Sequence, residues 1–214
     1  MKEIIQPYKM SISECGYWSR DEISEIWDFY VTKSVASSSS QRRTAANYGL
    51  KFIPFDTILT FSGVPDNRRD MLKADSIPGV LKEYDFEYFK KGTNEQVAID
   101  IDSPRLVCIQ PYSITDRGEP VAKGDGKGVT LLTHIRNSLA HGLTFFFDNG
   151  MMLLEDKAGG SSGKTTAMML LPQTALLDWL RAIDINAQFY SKSFDRSPYS
   201  KLVTKLPVKK TIDN

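Results

Sequence analysis

Gly128-Val129-Thr130-Leu131-Leu132-Thr133-His134-Ile135-Arg136-Asn137-Ser138-Leu139-Ala140-His141-Gly142 is the stretch on which the reading of this chain turns. Leu131, Leu132, Ile135 and Leu139 recur at helical spacing. They predict a helix from about residue 128 to His141 with one apolar side, and Gly142 suits its C-terminal end. On that helix Asn137 and His141 stand one turn apart on nearly the same face, with Arg136 about 100° round from Asn137.

Beyond the helix the period changes. Thr144-Phe145-Phe146-Phe147 reads as a strand, Asp148-Asn149-Gly150 as a tight hairpin turn, and residues 151–155 as the return strand. Residues 165–170 predict a third strand after the glycine-rich tip 158–163. Leu176, Leu177, Leu180 and Ile183, with Pro172 ahead of them, predict a closing helix.

Upstream, residues 116–128 carry several glycines and a proline and read as a loop. The β-branched runs 97–101 and 106–109 read as two strands, with Ser103-Pro104 between them. Val80, Leu81, Tyr84 and Tyr88 put a helix over 77–91, and residues 66–75 are a short charged segment. A helix is expected to begin within 41–50. Another is expected over 20–34, with Ser19 and Glu22 forming a capping box and Ile23, Ile26, Trp27 and Tyr30 at helical spacing.

The bulk properties agree with a folded protein. The chain has 214 residues, and its 41% hydrophobic content can build a core and argues against wholesale disorder. A net charge of +1 confines any nucleic-acid site to a local patch. Two cysteines, Cys15 and Cys108, give neither a disulfide framework nor a zinc spacing, and only two histidines accompany them, so no metal cofactor is expected. No apolar leader follows Met1 and no run approaches the ~20 apolar residues of a membrane helix. A cytoplasmic protein without membrane contact is the expectation.

Arginine, an amide and an imidazole on one short helix suit cleavage of an RNA phosphodiester. Histidine can take the proton of a ribose 2′-hydroxyl or give one to the leaving 5′-oxygen. Arginine can hold the phosphate oxygens bidentately without titrating. Spacing by itself is also met by a surface arginine and a helix-ending histidine that favours the helix dipole.

The local string Arg136-Asn137-Ser138-Leu139-Ala140-His141-Gly142 is more specific, and it resembles the signature of the HEPN family. The following hairpin and Leu/Trp-rich helix are similar to one branch of that superfamily, so the resemblance covers residues 129–183. It implies a helical domain that dimerises, with the motif helices of both copies lining one cleft. It implies RNA cleavage leaving a cyclic phosphate, often in toxin–antitoxin or phage-defence settings, with an inhibitory partner protein in some of them. Carried over, Arg136 would clamp phosphate, Asn137 would be its polar neighbour and His141 would be the acid–base. Leu143 stands where some toxin branches carry tyrosine. Some family members are inactive and serve as RNA- or protein-binding modules, which is the alternative reading here.

Other signals are weaker. Residues 158–165 satisfy a relaxed P-loop pattern, but Pro172 leaves room for only a short helix after Lys164, so a hairpin tip is expected and no nucleotide cofactor. His134, two turns before His141, reads as a structural or solvated histidine. Asp100 and Asp102 read as a solvated strand face without a third metal ligand. Residues 41–43, Arg68-Arg69, Lys90-Lys91 and the lysines of the tail are small basic clusters, usually solvated, that could also draw in an RNA backbone. The expected architecture is α+β: a mainly helical HEPN-like core with a small antiparallel hairpin. It occupies 1–190 as one domain with an N-terminal elaboration, followed by a basic, loosely ordered tail over 191–214.

Overall fold

The structure, a computed structural model, describes residues 2–4, 16–36, 43, 47, 56, 59, 62–77, 79–86, 98–123, 126–147, 149–159, 163–184 and 189–190. Its centre is a five-stranded sheet. Strands β2 (Arg69–Leu72), β4 (Arg105–Ile109), β7 (Thr144–Phe146), β8 (Met151–Ala158) and β9 (Lys164–Pro172) lie in the order β2-β4-β9-β8-β7. Only β2 and β4 are parallel; the other neighbours are antiparallel. Two small antiparallel pairs accompany the sheet: β1 (Lys2–Ile4) with β3 (Ala98–Asp100), and β5 (Tyr112–Ile114) with β6 (Pro120–Ala122).

The sheet corrects the expectation of a mainly helical core. Among the described residues the α-helices are short: α1 (Arg20–Trp27), α2 (Lys127–Ala140) and α3 (Ala175–Ile183) have 8, 14 and 9 residues. The apolar runs of β8 and β9 are buried on both faces, so they form the middle of a sheet rather than a hairpin beside a bundle. Met152, Leu154, Met169 and Leu171 face the helices, where Ile135 and Leu139 of α2 and Trp179 and Leu180 of α3 meet them. Met151, Leu153, Met168 and Leu170 face a second apolar layer built from Ile77, Leu81, Phe86 and Phe147.

That second layer explains a second correction. Residues 79–85 run through successive turns, not the helix expected over 77–91. Val80 N–H donates to the Ile77 carbonyl and Glu83 N–H to that of Val80, and Asp85 takes a positive φ of 53°. Consecutive i→i+3 turns space their apolar residues much as a helix does, and the positive φ then stops the chain from continuing helically. The loop expected over 116–128 contains β6, and the charged segment 66–75 contributes edge strand β2. Most of 41–50, where a helix was expected to begin, and the tail 191–214 lie outside the described residues.

The local signals fared better. Ser19 and Glu22 form the capping box, although α1 gives way after Trp27 to a π-helical turn, Asp28–Thr32. At the end of α2, Gly142 adopts φ +64°. The Gly142 N–H reaches the Leu139 carbonyl and the Leu143 N–H that of Ser138, the two bonds of a Schellman closure. This turn sends the chain straight into β7. Lys164 opens a strand rather than a helix and pairs with Ala158 of β8, so the helix that a P-loop needs after its lysine is not there.

Candidate functional site

The end of β8 lies under α2, and there the strand turns polar. Met151 through Asp156 are all buried, and alternation aims Asp156 at the helix side with Met152 and Leu154. A carboxylate so placed must find partners. His134 and Asn137, three residues apart and so on one face of α2, supply them. The Asp156 Oδ2 lies 2.6 Å from His134 Nδ1 and accepts from Asn137 Nδ2 at 3.2 Å. On its other side the His134 ring meets the Ile109 carbonyl oxygen, 2.8 Å from Nε2.

Burial alone would raise the Asp156 carboxyl. The hydrogen bond and charge of His134, with further bonds from Asn137 and Thr166, outweigh it and hold the group below its ordinary value. Both ring nitrogens of His134 are thus occupied, Nδ1 by the carboxylate and Nε2 by the Ile109 carbonyl. Thr166 Oγ1 donates to the Asp156 carbonyl at 3.2 Å, and Ser138 Oγ to the His134 carbonyl at 2.8 Å. With both nitrogens engaged, His134 has no ring nitrogen left for a further partner.

His141 contrasts with it. It closes α2 with φ −94°, is exposed, and its ring has no hydrogen-bond partner among the described residues. It shares with Asn137, Thr133, Lys123, the Asp156–Ala158 end of β8 and Gly159 beyond it an open cleft of about 740 Å³. Arg136 does not line this cleft. Its Nη1 donates to Asn137 Oδ1 at 3.0 Å, and its Nε is buried without a hydrogen-bond partner among the described residues.

Of the three residues expected to form the site, then, Asn137 and His141 meet in one cleft, and Arg136 lies beside it, tied to Asn137. Sequence reasoning missed Asp156; it read His134 as structural or solvated, and the buried, twice-bonded ring is the structural one. The signal was there in part: Asp156 shares the face of Met152 and Leu154 by alternation and so needs a buried partner, and α2 offers His134 and Asn137 at the right spacing. Among the described residues no three His, Cys, Asp or Glu side chains converge as a metal site would require. Cys108, buried in the core with its thiol pushed up to about 12 by desolvation and then by the Asp156 and Asp70 carboxylates, is not a nucleophile at neutral pH.

Comparison of the chain with protein-family models, with curated proteins and with solved structures gives no match. No helix among the described residues is long and apolar enough to cross a membrane.

Proposed function

We propose that the protein is a metal-independent endoribonuclease in which His141 handles the proton. The observation that carries this reading is the free, exposed imidazole of His141 on a cleft it shares with Asn137, one residue from an arginine whose Nε lacks a partner among the described residues. The ribose 2′-oxygen attacks phosphorus, the bond to the 5′-oxygen breaks, and a cyclic phosphate and a 5′-hydroxyl result. His141 takes the 2′-proton or protonates the leaving oxygen. An arginine neutralises the charge gathering on the phosphate oxygens.

In a single chain Arg136 lies outside the cleft that holds His141, so the reading calls for a homodimer. In it, Arg136 of one copy serves the His141 cleft of the other. The HEPN resemblance supports that arrangement, along with RNA as substrate and an inhibitory protein as partner.

The test is cleavage of single-stranded RNA in EDTA, with DNA resistant. His141→Ala is expected to lower the rate by on the order of 10²–10⁴, and Arg136→Ala to do comparable damage. Mixing the two inactive variants restores activity if each site draws on both copies, because one site of every mixed dimer is intact. A wild type inert on a broad RNA panel overturns the proposal and leaves the inactive binding module.

A further inference from the structure

We infer that His134 and Asp156 are positioning residues for Arg136, acting through Asn137. The bonds already described form one unbroken chain. It starts at the Ile109 carbonyl on β4, passes through the His134 ring to the Asp156 carboxylate on β8, crosses to the Asn137 amide, and ends on Arg136 Nη1. Each link fixes the polarity of the next. The carbonyl requires an N–H from His134 Nε2, and the carboxylate requires one from Nδ1. The same carboxylate oxygen takes a hydrogen from Asn137 Nδ2, so the amide cannot flip without setting its own oxygen against an anion. Asn137 Oδ1 is thereby turned towards Arg136, where it accepts from Nη1.

The start of the chain is rigid. Ile109 and Asp156 belong to the central sheet, and His134 and Asp156, at the floor of the cleft, are only 6% and 4% exposed. The end is half-exposed and lies on α2 only one residue from Asn137. A long arginine side chain left to itself would spread over several rotamers; held at Nη1, it keeps the Nε and Nη2 edge in one direction. That edge is the one with an orphaned donor. Asparagine is the fitting residue at 137 because it both donates to the carboxylate and accepts from the guanidinium, which neither alanine nor aspartate would do.

The network stands on geometry; its kinetic consequence rests on the ribonuclease reading. The test therefore has two arms on the full chain. In ¹⁵N-labelled protein, the Nδ1–H and Nε2–H of His134 should both be visible and slow to exchange, and Arg136 Nε–H should give one sharp signal. Asp156→Asn, two links from Arg136, should broaden or shift that signal. Asn137→Ala should do so while leaving the His134 ring protons in place, and it serves if Asp156→Asn fails to fold. On RNA, Asn137→Ala should lower kcat by on the order of 10–10² with a smaller change in KM, the scale of a misplaced catalytic group. An inert wild type whose Arg136 signal still responds to both variants supports the positioning chain while removing the ribonuclease reading. An active enzyme whose kcat and Arg136 signal ignore both variants overturns the chain and leaves that reading intact.

Discussion

His134 and His141 stand two turns apart on one face of α2, yet they meet opposite surroundings. Beneath His134 the sheet is still present: β8 offers the Asp156 carboxylate and β4 the Ile109 carbonyl, and both ring nitrogens are used. At His141 the helix ends, the chain turns at Gly142, and the ring is left exposed on the open cleft. The difference lies in the extent of the sheet below the helix, not in the residue or its spacing. One histidine ties the helix to the sheet, and the other presents its ring to the cleft.

The sharpest way to break this contrast is to remove each ring and measure stability in urea. His134→Ala leaves the buried Asp156 carboxylate without its nearest hydrogen-bond partner and is expected to cost about 3–5 kcal/mol. His141→Ala, at an exposed helix end, is expected to stay within about 0.5 kcal/mol. Equal losses at the two positions would show that the helix end is as tightly held as its middle.

Acid should distinguish the two regions more gently. The folded Asp156 carboxyl titrates below its unfolded value, taken as about 3.9. Its contribution to stability is therefore complete above that pH and is lost as pH falls through the lower folded value. Asp156→Asn should be less stable at neutral pH and should show a flatter decline below about pH 4 than the wild type. A variant whose acid limb parallels that of the wild type would place the acid-sensitive group elsewhere.

The smallest effect is expected at Lys164, exposed at the tip of the β8–β9 hairpin. Lys164→Ala should alter stability by less than about 0.5 kcal/mol, and ATP should raise the melting temperature of neither protein. An ATP-induced rise that Lys164→Ala abolishes would make the tip a nucleotide site and add a third functional region beside the two histidines.

Much of the local structure was legible. The capping box at Ser19 and Glu22, the α2 stripe of Leu131, Ile135 and Leu139, the glycine at 142, the turn at Asn149-Gly150, the two long strands and the closing helix all follow from contacts within a few residues. What failed were the readings that depend on distant partners. The apolar content of β8 and β9 shows that they are buried, but not that β4 lies against β9 and brings β2 in parallel beyond it. The spacing of Ile77, Leu81 and Tyr84 fits both a helix and a string of turns, and the choice falls to the apolar face of the sheet they cover.

The same division holds at the site. The sequence by itself determined that Arg136, Asn137 and His141 share one helix near its C-terminal end, because a 3.6-residue period and a glycine stop are local properties. Only the tertiary structure decided that Asn137 and His141 open onto a cleft while Arg136 lies beside it. It alone, too, gave His134 a buried carboxylate 22 positions away in the chain. Helical phase orders residues around their own axis, but a side chain's chemistry depends on what the neighbouring element carries at that height. Here a strand that carries Asp156 towards the helix turns one histidine into an anchor, and the other meets no such partner among the described residues.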